Sequence, residues 1–191
     1  LSWPEVKNIS KDKRSTIIWP FGAVEQHGPH LPLATDSIFV DEIICEVFKL
    51  FPSDFPLKKL PTQYMGFSPE HMGFDGTISL SSNLMISMIK EVGVQLSNMG
   101  FKRLILINGH GGQISLLNTA ARELRSFAPG IAVFPCFLWR GVNGLSELLT
   151  KTEIEYGLHA SLAETSLMLA LKPELVGDER PNDGIKGQIP E

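Results

Sequence analysis

The sequence is poor in cysteine and has no long apolar run. Its two cysteines, Cys45 and Cys136, are far apart and form no CxxC pair, which excludes a disulfide-rich scaffold and a cysteine-based zinc knuckle. We expect both to be reduced thiols buried within apolar runs, as suits a cytoplasmic protein. No segment reaches the roughly 18 apolar residues of a membrane-spanning helix, and the first residues lack the basic region and apolar core of a signal peptide. The sequence therefore predicts a cytoplasmic protein with no membrane partner.

An excess of basic charge is also missing. The 17 Lys and Arg residues are scattered and are outnumbered by 21 Asp and Glu residues, which leaves a formal net charge of −4. This balance gives no reason to expect nucleic acid as a partner. With 43% hydrophobic residues in a chain of 191, a core of ordinary size can form, and we expect residues 1–191 to be a single globular domain.

Apolar periodicity alternates between strand and helix along the chain. The run 16–21 predicts a first strand, and the apolar face over 37–50 predicts a helix capped by Asp36 or Ser37. Further strands are predicted at 57–60, 103–107 and 131–137, and further helices at 82–99, 114–124 and 160–171. A loop over 65–77 interrupts them. This order predicts the α/β class, as a three-layer α/β/α sandwich with a mainly parallel sheet.

Residues 25–36 read EQHGPHLPLATD and follow the first predicted strand directly. Glu25 and His27 are two residues apart, so they point to the same side of an extended chain, and Asp36 returns after a proline-containing loop. Acids and imidazoles at the carboxyl end of a strand in an α/β protein are typical of a metal site. His30 fits a hydrogen-bonded loop residue better than a ligand.

Two later segments carry the same chemistry. His110 follows the third predicted strand, although in Asn-Gly-His-Gly-Gly it could also be a simple turn residue. His159 and Glu164 lie at the start of the last predicted helix, where a carboxylate among apolar residues needs a partner. His71 could contact a substrate or only close its loop. The mixed set of carboxylates and imidazoles suits zinc, manganese or iron better than calcium, and two ions bridged by Asp36 are expected.

Three motifs together, GAVEQHGPHLPLATD, INGHGG and HASLAETS, resemble the creatininase (creatinine amidohydrolase) family over about residues 15–175. The resemblance implies an α/β/α fold, a dinuclear metal centre holding zinc, manganese or both, with iron as a further option, and a homohexamer. It implies hydrolysis of amide-type C–N bonds, and we predict that the bonds cleaved are non-peptide. Matched by motif, the ligands of one metal would be Glu25, Asp36 and His110, and those of the other His27, Asp36 and Glu164. His159 matches the family's catalytic histidine.

Two metal ions would account for these roles. A water that bridges two divalent ions loses its proton near neutral pH, and the resulting hydroxide attacks the carbonyl carbon while one ion polarises the oxygen. His159 lies beside the ligands and would carry a proton to the departing nitrogen. The expected partner is a small-molecule amide.

The match to creatininase itself is incomplete. That enzyme has a Tyr and a Glu, the Glu being an extra metal ligand, where this sequence has Gly111 and Gly112. Its substrate-contacting Trp-Asp pair is matched by Glu155-Tyr156. We therefore predict a substrate other than creatinine, namely a small cyclic amide or a formamide. The wider family includes formamide hydrolases and enzymes that trim peptide cofactor precursors. Family chains usually continue past the segment matched by 184–187, so we expect a shortened carboxyl terminus, natural or truncated.

Other functions remain open alternatives. The chain could be a creatinine amidohydrolase proper, or a catalytically silent, metal-stabilised oligomer. A nucleotide-binding module could use the glycines of 109–112 as a phosphate cradle at a strand-to-helix turn. The segment lacks the lysine of a P-loop, and Glu25, Asp36 and Glu164 would repel phosphate.

Overall fold

A computed structural model of the chain describes residues 1–157 and 159–180. Its helices are α1 (Trp3–Ile9), α2 (Thr35–Lys49), α3 (Ser82–Met99), α4 (Ile114–Phe127), α5 (Leu145–Leu148), α6 (Lys151–Tyr156) and α7 (Leu162–Leu171). Its strands are β1 (Thr16–Phe21), β2 (Leu57–Lys59), β3 (Arg103–Asn108) and β4 (Ala132–Phe137). Short 3₁₀ turns occur at Pro69–His71, Gly111–Gln113 and Pro173–Leu175.

The four strands form one sheet in the order β2-β1-β3-β4. Every pairing within it is parallel, with Ile18 opposite Ile105 at the centre of the sheet. Parallel neighbours need crossover connections, and α2, α3 and α4 supply them along the chain. The predicted α/β class with a parallel sheet is confirmed.

Each central strand contributes side chains to two separate cores, because alternate residues of a strand point to opposite faces. Trp19 of β1 and Leu106 of β3 pack in one core with α3 and α4, whereas Ile18 packs in the other with Val40 of α2. Met168 of α7 extends the layer of α2 on that second face. Helices therefore cover both faces of the sheet, as the three-layer prediction requires.

Predicted and observed helix boundaries agree best where the sequence contains a capping residue. Helix α3 ends where predicted, since Gly100 adopts a left-handed conformation with φ of 105°. Helix α2 begins at Thr35 rather than Ser37, which places Asp36 inside its first turn. The short α1 was not predicted, although Ser2 and Glu5 form a capping box around it.

The expectation of buried thiols is wrong. Both Cys45 and Cys136 are free and exposed. Cys136 lies on the edge strand β4, whose residues alternate in exposure, and Cys45 follows the buried Ile44 on α2 and faces outward. Apolar neighbours surround both cysteines in sequence, but those neighbours point to a different face. Within the described ranges, no helix combines the length and apolar character needed to cross a bilayer.

Candidate metal centre

The predicted site residues meet at the carboxyl edge of the sheet. Glu25 and His27 follow β1, and His110 follows β3 two residues after Asn108. Asp36 comes from the first turn of α2 and Glu164 from the first turn of α7. All five are buried, with between 0% and 8% of their surface exposed. Buried charges of this number require partners.

Asp36 lies between two imidazoles. Its Oδ1 is 3.4 Å from His27 Nε2, and its Oδ2 is 3.4 Å from His110 Nδ1. Burial alone would raise the pKa of this carboxyl, but His27 and His110 outweigh that effect and hold it well below its usual range. The two carboxylate oxygens thus face the nitrogens of two different imidazoles, an arrangement compatible with a bridging carboxylate.

Glu25 contacts the same two histidines from the other side. Its Oε1 is 3.0 Å from His110 Nδ1 and 3.8 Å from His27 Nε2. Its Oε2 accepts a hydrogen bond from Ser68 Oγ, which orients the carboxylate. Glu25, His27 and Asp36 each offer a ligand atom within one small space, all lying within 4.8 Å of one another.

Glu164 joins a second group of ligand atoms, together with His27 and His159. Its Oε2 accepts a hydrogen bond of 2.5 Å from the backbone N–H of Ala160. Burial raises the pKa of Glu164 to about 7. His27 belongs to this group and to the group of Glu25 and Asp36, so the two groups adjoin.

His159 is placed beside the other site residues by its own hydrogen bond. Its Nε2–H donates to the backbone carbonyl of Gln26 at 2.6 Å, so its Nδ1 carries no proton when the ring is neutral. That Nδ1 is 3.7 Å from Glu25 Oε1. Burial, with His27 and His71 adding to it, lowers the pKa of His159 to about 3. His159 is therefore a neutral imidazole at physiological pH, with a free nitrogen facing the carboxylates.

The donor set fits divalent metal ions. In the described part of the chain, Glu25 Oε1, His27 Nε2 and Asp36 Oδ2 are buried, and they meet one another and His110 at ion-pair distances without the alignment of a hydrogen bond. These atoms converge on one region, and a cation there would satisfy them. Nitrogen and carboxylate donors in this mixture suit zinc, manganese or iron.

Metal uptake should strengthen as the pH rises. Burial opposes protonation of both imidazoles, but Asp36 outweighs it and raises the pKa of His27 to about 9, while Asp36 and Glu25 raise that of His110 to about 12. A proton must leave each ring before a metal binds, so zinc affinity should rise up to about tenfold per pH unit for each displaced proton. Competition with a chromophoric chelator at several pH values from about 6 to 8, where folded proteins are generally stable, measures the change in zinc affinity. An affinity that stays constant, after correction for the chelator's own protonation, would contradict it.

Several residues near the site were not predicted from the sequence. Ser68 and Glu70, from the long loop, contact Glu25 and His110 respectively. His71, whose role was left open, stacks on the His159 ring with centroids 4.2 Å apart. Glu70 and His71 share one turn at the edge of the site. The sequence offered only two signals for this turn: the length of the loop 65–77 and the acid-histidine pair within it.

His30 is kept apart from the ligands. It is buried and shares a hydrogen bond of 2.7 Å with Thr165 Oγ1, as the loop-residue interpretation predicted. The matched pair Glu155-Tyr156 lies on α6, where Glu155 is exposed and pairs with Lys151 at 3.9 Å. The side chain of Tyr156 and the segment 184–187 lie outside the described residues.

Comparisons with known proteins identify the family of the chain. The family model Creatininase, described as creatinine amidohydrolase, matches residues 1–191. The mycofactocin precursor peptide peptidase of Mycobacterium tuberculosis (strain ATCC 25618 / H37Rv) is 32% identical over 181 residues, covering 92% of this chain and 66% of the relative. The creatinine amidohydrolase of Pseudomonas putida is 27% identical over 199 residues, covering 96% and 74%. The 3-dehydro-scyllo-inosose hydrolase of Thermotoga maritima is 30% identical over 183 residues, covering 92% and 56%.

Solved structures show the same architecture. A manganese creatininase has a TM-score of 0.78 at 26% identity, covering 95% of this chain and 76% of that one. A mutant creatininase of Zn-Zn type has a TM-score of 0.76 at 27% identity, covering 93% and 72%. This chain spans just under two thirds of the length of the mycofactocin precursor peptide peptidase.

Proposed function

The chain belongs to the creatininase family, and we propose on this basis that it is a dinuclear metal-dependent amidohydrolase. The observation that carries the proposal is the position of Asp36, whose two oxygens each face a different histidine. A buried carboxylate between two imidazoles can give one oxygen to each of two ions, so this arrangement favours two ions over a single ion. We also propose that residues 1–191 act as one creatininase-like domain.

The contacts are compatible with the two ligand sets that the family motifs imply. Glu25, Asp36 and His110 would hold one ion, because Glu25 Oε1 and Asp36 Oδ2 both face His110 Nδ1. His27, Asp36 and Glu164 would hold the other, which the proximity of His27 to both carboxylates supports. Zinc and manganese are the expected ions, with iron also compatible with these donors.

The chain's own groups handle the proton. Two bound divalent ions would supply Lewis-acid activation of an amide carbonyl and of water. When its ring is neutral, His159 presents an unprotonated Nδ1 to the site, so it can accept a proton there and return it to the departing nitrogen. The carbonyl of Gln26 holds Nε2–H and prevents the ring from turning. This proton transfer matters because an amide nitrogen is a poor leaving group until it is protonated.

The substrate is proposed to be a small cyclic amide or a formamide. Creatinine is less well supported, because Gly111 and Gly112 replace the Tyr and Glu of creatininase and Glu155 faces solvent beside Lys151. A peptide amide is a second candidate. The observation that favours it is the likeness to mycofactocin precursor peptide peptidases at 31% to 32% identity, against 27% for the creatinine amidohydrolase.

Product formation from a panel of amides tests the proposal, measured as release of amine or ammonia from formamides and peptides and as ring opening of cyclic amides. We expect turnover of a formamide or cyclic amide that stops on chelation and returns with zinc or manganese. Creatinine and short peptides in the same panel separate the substrate candidates. Metal retention without turnover of any member would favour the catalytically silent oligomer, and chelator-insensitive turnover would contradict the metal mechanism. Light scattering on the same sample tests the predicted hexamer.

The surroundings of the glycine segment 109–112 argue against the nucleotide-binding alternative. The turn Gly111–Gln113 precedes α4, as a phosphate cradle would require. However, Glu70 Oε1 lies 3.2 Å from His110 Nε2 at this turn, and Glu25 lies on the other side of the ring. Two carboxylates beside the turn oppose a phosphate group.

A further inference from the structure

The turn Pro69–His71 brings a carboxylate to the metal centre that the two ligand sets do not use. Glu70 Oε1 lies 3.2 Å from His110 Nε2. Ser68, just before the turn, bonds Glu25, and His71, at its end, stacks on His159. One short segment therefore contacts a carboxylate ligand, an imidazole ligand and the histidine that handles the proton.

The contacts of His110 show which nitrogen keeps its hydrogen when the ring is neutral. Its Nε2 lies 3.1 Å from the backbone carbonyl of Phe67, and a carbonyl oxygen can only accept, so Nε2 carries hydrogen. Glu70 Oε1 lies 3.2 Å from the same nitrogen. The other nitrogen, Nδ1, faces Glu25 Oε1 at 3.0 Å and Asp36 Oδ2 at 3.4 Å. Nδ1 is thus the atom available to a metal, and Nε2 is the atom that holds the ring in place.

Because Gly112 has no side chain, the space beside it is open to the carboxylate of Glu70. A Cβ at this position would overlap Glu70 Oε1 and would lie 2.6 Å from His110 Nε2. A larger residue here would push the carboxylate off the ring. This is the position at which the sequence departs from creatininase by having Gly in place of Glu, and Glu70 Oε1 lies in the space beside it.

We propose that Glu70 is a positioning residue for the metal centre: it accepts a hydrogen bond from His110 Nε2–H and so aims His110 Nδ1 at the ion flanked by Glu25 and Asp36. The inference rests on the proposed function. A carboxylate behind a ligating imidazole fixes the tautomer and ring orientation and makes the ligand nitrogen more basic. Because the carbonyl of Phe67 also accepts from this N–H, Glu70 acts as a second acceptor that restricts the orientation of the ring.

Metal titration into chelator-stripped protein tests this role. Zinc is titrated into the wild type, E70A, E70Q and the control E123A. Glu123 is a matched control because its side chain is 43% exposed, against 36% for Glu70. It lies on α4 and forms an ion pair with Lys90 of α3. We expect E70A to bind one of two ions about ten- to hundredfold more weakly and the other unchanged. The amide oxygen of E70Q still accepts the hydrogen bond and should recover most of the loss, while E123A should match the wild type.

The outcomes separate this role from the proposed function. Equal melting temperatures of stripped E70A and wild type would support a loss of affinity rather than of folding. Two ions in the wild type with unchanged affinities in E70A would overturn the role of Glu70 and leave the dinuclear centre intact. An E70Q as weak as E70A would also overturn it, because acceptance of the hydrogen bond would then not be what matters. A wild type that takes up no zinc would overturn the centre itself.

Discussion

Replacing Asp36 with alanine should remove both metal ions from the protein. Asp36 Oδ1 faces His27 and Oδ2 faces His110, so the change takes one ligand from each proposed ion and removes one of the two carboxylates that contact both imidazoles. Metal content should fall from about two equivalents per chain to almost none, and turnover should fall with it. Mass spectrometry of metal content after gel filtration measures the first effect.

Asp41→Ala is the matched control for that experiment. Asp41 lies on the same helix α2 but bonds Lys59, Thr62 and Tyr64, away from the histidines. This variant should keep both ions. If Asp36→Ala also retained two ions, Asp36 could not be the bridge, and the division of ligands into two sets would be wrong.

Replacing His159 with alanine should abolish turnover while both ions stay bound. The ring presents a neutral Nδ1 to the site, 3.7 Å from Glu25 Oε1, and belongs to neither proposed ligand set. Loss of a general acid-base group typically costs about 10²- to 10⁴-fold in rate. Steady-state kinetics on the best amide of the panel, with metal content measured on the same sample, tests both halves of the prediction. A variant that lost one ion would show that His159 is a ligand instead.

Strands and capped helices could be predicted from the sequence because their signals are local. The run 103–107 is apolar at almost every position and forms β3, and Gly100 ends α3 by adopting the left-handed conformation that glycine tolerates. Local composition fails where packing decides the outcome. Cys45 and Cys136 lie in apolar runs, yet both face outward, since burial depends on which face a neighbouring layer covers.

The site residues could be predicted because their positions along the chain are also a local signal. Glu25 and His110 follow strands that lie side by side, and Asp36 and Glu164 start helices, so sequence position alone placed them at one edge. Glu70 could not be assigned in this way. It belongs to a loop without periodicity, and its contact with His110 depends on how that loop folds back over the sheet. The space at Gly112 that admits it is visible only in three dimensions.

Metal content per chain is the most direct test of the dinuclear centre. It is measured by plasma mass spectrometry on protein purified without a histidine tag and without chelator. We predict about two equivalents of zinc, manganese or iron per chain, held by Glu25, His27, Asp36, His110 and Glu164. Protein that contains no metal, and takes up none after zinc or manganese is added, would contradict the metal-dependent amidohydrolase.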